Sequence, residues 1–347
     1  MDASAHVALV DSVLASVIGS ARAEWGAVSP HLTPVFEEIG AMVLGGGKRL
    51  RPQFCHWGWI AAGGDPSDPV HARFGAGIEL LHVTALFHDD VIDDAHSRRN
   101  RPTTHRTFMD LHADNSWAGD SRRFGEGAAI LFGDITYVMS DALMDGLNAD
   151  ARSVWHALRL EMNVGQWLDT LGSARRDRDV VDAELVCRMK SAKYTIERPL
   201  HLGALAADPV VGAELQPMLS AYGLPLGDAF QMRDDMLGAF GEESVTGKPV
   251  GGDFREGKPT PLLALAWSRA SEAQRSVLDH VGDPSIDPSR IAAVQQVVVE
   301  TGAAAEMESR IDRLAAQAVS ALEPSRMAGA SHAALVDLAD AVVTRSV

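Results

Sequence analysis

The chain has 347 residues, 46% of them hydrophobic, with 31 Lys plus Arg against 47 Asp plus Glu, a formal net charge of −16. That length and apolar content can bury a large core, and so acidic a balance excludes general nucleic-acid binding, which needs basic surface. An anionic substrate is not excluded, because local clusters of cations decide that.

Apolar residues recur at helical spacing and period-two alternation is rare, so the pattern predicts an all-α protein. Helices are predicted over 4–25 and 34–44, the second stopped by Gly45-Gly46-Gly47, which lets the backbone approach a ligand closely. Lys48, Arg49 and Arg51 follow, and Pro52 suits the first turn of a new helix. Gly63-Gly64-Asp65-Pro66 reads as a turn, 70–95 as a helix ended by Arg99-Asn100-Arg101-Pro102, and 110–126 as a loop or irregular insert. Helices resume over 126–147, 151–172 and 180–206, the last kinked at Pro199; 207–212 is a break, 213–240 a helix kinked at Pro225, and 241–260 a loop. The tail adds helices near 260–280, 288–300, 302–323 and 331–345. With no internal repeat or low-complexity linker, one helical domain over 1–347 is the simplest account.

Cys55 and Cys187, each alone in an apolar context, read as small buried hydrophobes of a reducing, cytoplasmic compartment. Asp2 without a basic flank, and Asp11 inside the first apolar run, leave no visible signal peptide. No run approaches the roughly 18 uninterrupted apolar residues of a membrane span, so no stable membrane insertion is expected.

The chemistry gathers in two acidic stretches. His88-Asp89-Asp90-Val91-Ile92-Asp93-Asp94 closes an apolar helix and is followed by Arg98, Arg99 and Arg101. Positions four apart share a helix face, so Asp89 aligns with Asp93 and Asp90 with Asp94. Aligned carboxylates beside an apolar wall repel one another and resist desolvation; a hard divalent cation such as Mg²⁺, completed by substrate phosphates, relieves both. An exposed acidic helix end bridged to Arg98 and Arg99 is the plainer reading of the first stretch alone. The second stretch, Phe230-Gln231-Met232-Arg233-Asp234-Asp235-Met236-Leu237, weighs against it, because two such helices facing each other build a metal site in a bundle. Three cation groups (Lys48, Arg49 and Arg51; Arg98, Arg99 and Arg101; Lys248 and Lys258) suit diphosphate.

These residues resemble the trans-isoprenyl diphosphate synthases, the polyprenyl synthetases of farnesyl and geranylgeranyl type. The resemblance spans about residues 40 to 265. It rests on Gly46-Gly47-Lys48-Arg49-Leu50-Arg51-Pro52, Leu81-His82, His88 to Asp93, Arg98-Arg99, Pro102-Thr103 and His105, then on Gly165-Gln166 with Asp169, Lys190-Ser191, Phe230-Gln231 with Asp234-Asp235, Gly247-Lys248 and Gly257-Lys258-Pro259-Thr260. It implies an all-α isoprenoid-synthase bundle around a central cavity, usually a homodimer, that condenses isopentenyl diphosphate with an allylic diphosphate using Mg²⁺, expected as three ions.

By the same resemblance Asp89, Asp93 and Asp234 bind metal, with Asp90 and Asp235 in support. Arg98, Lys190, Lys248 and Lys258 hold the allylic diphosphate, and Lys48, Arg51, His82 and Arg99 hold isopentenyl diphosphate. Gln166, Phe230 and Gln231 line the reaction centre, with Ser191 where the family usually has threonine. The catalytic set is then Asp89, Asp90, Asp93, Asp234, Asp235, Lys190 and Gln231. Thr195 and Gln166 are placed near the allylic cation, and His105 near the arginine loop.

Two departures stand out: Gly238 occupies the last position of the second motif, usually aspartate, which predicts weaker metal support there, and Asn100 replaces a glycine. Chain length is assigned to Leu81, Thr84 and Ala85, the last two small where enzymes stopping at fifteen carbons carry an aromatic. A twenty-carbon product follows, with farnesyl or longer products as alternatives. A terpene cyclase and a non-catalytic partner subunit are the rival readings, disfavoured by the glycine–lysine–arginine block and by the survival of both acidic clusters.

Overall fold

The computed structural model describes residues 3–99, 101–241, 251–283 and 285–344. Apart from one two-residue hairpin it is helical throughout, as the spacing predicted. The chain divides into two compact units, Met1–Arg152 with Leu202–Pro209 and Ser153–His201 with Val210–Val347.

In the first unit α1 (Ala3–Val28), α2 (Thr33–Leu44), α3 (Leu50–Ala61) and α4 (Val70–Ile92) are followed by the hairpin β1 (Ser97–Arg98) and β2 (Arg101–Pro102), then α5 (Thr104–Asp114) and α6 (Ser121–Ala142). Its core joins Val10, Leu14 and Ile18 of α1 to Phe36, Ile39 and Val43 of α2, Leu80, Val83 and Phe87 of α4, and Phe132 of α6. Each large side chain so buried contributes about 1.5–3 kcal/mol.

The 110–126 stretch corrects the expectation of a loop. Only 115–120 separates α5 from α6. Asp120 caps α6, its carboxylate accepting from the Arg123 N–H at 2.9 Å, and Arg122 pairs with Glu126 one turn on at 2.6 Å. Packing here runs through aromatic edges (Phe108 on Phe132, Trp117 on Phe124), which aliphatic periodicity does not register.

The membrane expectation rests on uninterrupted runs, and a window average adds one candidate to it. Among the described residues α1 is long and apolar enough over Ser4–Val28 to cross a membrane by length and composition, with a mean hydropathy of 1.4. A window average tolerates the single charge of Asp11, which the sequence reading took as an interruption. Here one face of α1 packs on α2 and α4, and Asp11 accepts from Arg49 at 2.9 Å.

The second unit holds most of α7 (Ala149–Arg175), then α8 (Val180–Cys187), a π-helical stretch Arg188–Glu197, the start of α9 (Arg198–Ala207), α10 (Pro209–Phe240), α11 (Gly252–Glu256), α12 (Pro261–Arg269), α13 (Glu272–Leu278), α14 (Pro288–Glu300), α15 (Ala303–Ser320) and α16 (Ser331–Val343). Where the sequence predicted one kink at Pro199, the structure spreads the disturbance over ten preceding residues. Proline at 199 cannot donate to the Thr195 carbonyl four residues back and its ring crowds that carbonyl, so the turns before it widen. The Arg198 N–H bonds the Lys193 carbonyl, five residues earlier.

The wider turn also lets Lys193 and Arg198 share Glu161 of α7, at 2.8 Å and 2.6 Å. Helix α10 lies against this stretch so closely that a Cβ at Gly227 would fall 2.5 Å from Ala192 Cα; only glycine fits. The core of this unit runs from Met232 and Met236 of α10 through Leu262 and Leu263 of α12 to Val294 and Val298 of α14 and Met307 and Ile311 of α15. Arg233 ties α10 to α15 by a two-pronged ion pair with Glu308, 2.7 Å on each side.

Candidate active site

The first acidic cluster sits where α4 runs out. The helix ends at Ile92 rather than at 95, and Asp93 caps it, its N–H bonding the Asp89 carbonyl at 2.8 Å. Asp89 and Asp93 are half-buried one turn apart on one face, whereas Asp90 is 1% exposed. Asp90 receives Arg98 from β1 at 2.7 Å and 2.6 Å, and the same guanidinium lies 3.5 Å from Asp89. Burial alone would lower the Arg98 pKa; Asp90, Asp89 and Asp93 instead hold it above its ordinary value, so it stays charged. The expected Asp90–Asp94 pair does not form. Asp94 turns into the left-handed region at φ 49° and takes Arg106 at 2.7 Å. His105 lies 3.8 Å from Asp94, consistent with an orienting role in this loop. His88 sits against the Ile130 carbonyl at 3.1 Å, holding α4 on α6.

Cations from two loops gather beside these acids. Gly46 and Gly47 adopt φ of 97° and 138°, and Lys48 is exposed beyond them. Arg99 of the hairpin donates to the Gly46 carbonyl at 2.9 Å, tying the two loops together. His82 of α4 faces this group: burial first, then Arg51, Arg99, Arg98 and Arg49, push its pKa well below the ordinary histidine value, leaving a neutral ring among guanidinium groups. Arg49 belongs elsewhere. It is 4% exposed and spends its donors on Glu79 at 2.7 Å, the Val43 carbonyl at 2.7 Å and Asp11 at 2.9 Å, a structural knot that the sequence could not separate from Lys48 and Arg51.

On the α4 wall Thr84 is buried, its hydroxyl 2.9 Å from that of Thr136 on α6. Leu81 is fully buried and Ala85 half-buried.

The second unit carries its own cluster. Asp235 on α10 is 4% exposed; its Oδ1 accepts from Gln231 at 2.8 Å and its Oδ2 is buried without a hydrogen-bond partner. Burial first, then Asp253, with Asp234 and Asp169 beyond, raise its pKa well above the carboxylate range against the Gln231 hydrogen bond. Lys190 of the π stretch binds Asp169 of α7 at 2.5 Å, and Lys258 binds Glu256 at 2.6 Å. Phe230 is buried, while Gln166 and Ser191 are half-buried. Thr195 Oγ is fully buried without a hydrogen-bond partner.

Two acids here were not assigned roles from sequence, Asp169 and Asp253. Asp253, on α11, packs directly over the small residue of the second motif: a Cβ at Gly238 would stand 2.1 Å from Asp253 Oδ2. A carboxylate from α11 therefore fills the space where a third motif aspartate would begin, the position from which the sequence predicted weaker metal support. Lys248 and Asn100 lie outside the described residues.

Carboxylates gathered around Asp235, with a buried Asp235 oxygen lacking a hydrogen-bond partner, are what a divalent cation relieves. Asp89 with Asp93, and Asp234 with Asp235 and Asp253, are oxygen donors of the kind Mg²⁺ takes.

A sequence profile described as Polyprenyl synthetase matches residues 33–300. The chain belongs to the polyprenyl synthetase family. Like other members of this family it has solved relatives of the same fold: a geranylgeranyl pyrophosphate synthase from Corynebacterium glutamicum, complexed with isoprenyl diphosphate and magnesium, is 33% identical with a TM-score of 0.91 and covers 100% of both chains. A geranylfarnesyl diphosphate synthase from Aeropyrum pernix is 32% identical over 278 residues, 78% of this chain and 80% of that one. A (2E,6E)-farnesyl diphosphate synthase from Mycobacterium bovis is 29% identical over 336 residues, 92% and 87% of the two chains. The polyprenyl synthetase relatives thus span three product lengths at similar identity.

Proposed function

We propose that this polyprenyl synthetase is a chain-elongating trans-prenyltransferase that joins isopentenyl diphosphate to dimethylallyl, geranyl or farnesyl diphosphate, giving geranylgeranyl diphosphate. The observation that carries this reading is the pair of acidic clusters, Asp89 with Asp93 where α4 ends and Asp234 with Asp235 on α10, each with cations beside it. The single-domain reading over 1–347 belongs to the same proposal.

In this reading Asp89, Asp93 and Asp234 hold Mg²⁺, as three ions, with Asp253 in the place left by Gly238. The bound ions would neutralise charge as diphosphate departs. Asp90 keeps Arg98 charged and aimed. Arg98, Lys190, Lys248 and Lys258 grip the allylic diphosphate, and their fixed charges favour the state in which negative charge has grown on the leaving oxygens. Lys48, Arg51, Arg99 and neutral His82 seat isopentenyl diphosphate with its double bond facing the allylic C1. The C1–O bond breaks, a new C–C bond forms, and a proton leaves isopentenyl C2 for the released diphosphate. Phe230, Gln231, Gln166 and Thr195 wall the reacting carbons from water. No side-chain nucleophile is required. Two buried free thiols, Cys55 and Cys187, support a cytoplasmic setting.

Incubation with isopentenyl diphosphate, each allylic primer and Mg²⁺, followed by chromatography of the dephosphorylated lipid, tests this. Geranylgeraniol is the expected product. A fifteen- or twenty-five-carbon alcohol would revise the length, a hydrocarbon from the allylic substrate alone would replace the reading with a cyclase, and no turnover would indicate a partner subunit.

A further inference from the structure

We propose that His6, His56 and His71 form a second metal site, for a transition metal of the Zn²⁺ class, clamping α1 to α3 and α4. The three rings come from three different helices, are each 0% exposed, and have potential ligand nitrogens within 4.8 Å of one another. Their tautomers are legible. His6 Nε2 lies 3.2 Å from the Pro52 carbonyl and His71 Nε2 lies 3.3 Å from the Pro66 carbonyl. A carbonyl only accepts, so each Nε2 carries the hydrogen and each Nδ1 presents a lone pair. Metal-bound histidines are oriented in the same way, one nitrogen donating to a carbonyl and the other ligating.

His6 Nδ1 is buried without a hydrogen-bond partner. His56 Nδ1 stands 3.4 Å from His71 Nδ1, faces its lone pair and so carries a hydrogen, which must move to His56 Nε2 for Nδ1 to ligate. Nitrogens bound to one tetrahedral Zn²⁺ at about 2.0–2.1 Å are separated by about 3.4 Å, so this pair already has the spacing of two ligands. The cluster holds neutral rings, the form that binds metal: burial above all pushes His6 to about 4 and His56 to about 3, and lowers His71.

The donor set is nitrogen only. That suits Zn²⁺, Co²⁺, Ni²⁺ or Cu²⁺ and not Mg²⁺, which selects oxygen, so this site is chemically distinct from the aspartate clusters. Trp57 packs edge-on to His56 at 4.7 Å and Trp59 tilts over His71 at 5.8 Å, an enclosed setting in which three nitrogens leave the fourth tetrahedral position to a water.

The test titrates Co²⁺ into chelator-stripped full-length protein and follows visible absorption. The expected result is one intense four-coordinate band per chain that survives a large excess of Mg²⁺, disappears on Zn²⁺ addition and is lost in His56→Gln. Zn²⁺ should also raise the melting temperature of the unsubstituted chain and not that of the variant. A weak six-coordinate spectrum, or a band bleached by Mg²⁺, would overturn the site even if His56→Gln fails to fold, and so would a band unchanged in a folded variant.

Discussion

At the scale of single residues, neighbouring cations of similar appearance divide into holding and working groups. Arg49 is buried against buried Glu79, whereas Lys48 beside it is exposed. Removing one partner of a buried ion pair leaves the other uncompensated, at about 3–5 kcal/mol. Arg49→Ala should therefore lower the unfolding free energy obtained from chemical denaturation by that amount, while Lys48→Ala should leave it unchanged and raise the KM for isopentenyl diphosphate. His201 makes a second prediction. Burial first, then Arg198, against the pull of Glu197, lower its pKa to about 4. A base whose folded pKa is depressed favours the folded state while neutral, so its contribution is complete above the ordinary 6.5 and is lost as pH falls toward 4. By pH 5 the loss should be on the order of 1–2 kcal/mol, and the fall in melting temperature from pH 7 to 5 should be smaller in His201→Gln.

At the scale of elements, the sequence disclosed those helices whose apolar faces repeat: α2, α4 and α14 lie within three residues of their expected bounds. The break expected over 207–212 shrinks to Asp208, the helix expected over 260–280 divides into α12 and α13, and three further features escaped the sequence. The start of α6 is fixed by the Asp120 cap and by aromatic edges, which leave little aliphatic signal. The π stretch answers a proline that comes after it. Asp253 reaches Asp235 from a separate helix, and no spacing rule within a motif links them. The candidate site residues that were legible are those whose chemistry is carried by adjacent letters, such as Asp89, Asp93 and Asp234; the histidine cluster, drawn from positions 6, 56 and 71, has no such signature.

The wall of α4 sharpens the chain-length expectation. Thr84 is hydrogen-bonded into α6, so Thr84→Phe would have to force apart a pair of packed helices, and Ala85, half-buried, is the better probe. Ala85→Phe should shift the main product down by one five-carbon unit in a product assay, with the melting temperature little changed.

At the scale of the whole molecule, the long helix α6 presents Phe124, Leu131 and Val138, spaced seven apart, at 40%, 61% and 68% exposure. Residues seven apart fall on one helix face, and such a face is suited to a matching helix from a second copy. The homodimer that the family resemblance implies would cover it. Leu131→Glu combined with Val138→Glu should halve the mass measured by sedimentation equilibrium at low micromolar concentration, and an unchanged dimer would move the contact to another surface.

The nearness of Gly238 to Asp253 shapes how this chain can change. Giving position 238 the aspartate usual in its relatives does not simply add a ligand, since the carboxylate already in that space has to leave. Gly238→Asp alone should slow turnover, and pairing it with Asp253→Gly should recover some of the loss. The two positions are coupled: what position 238 can hold depends on the side chain at 253, so a substitution judged at one alone misstates what the pair tolerates.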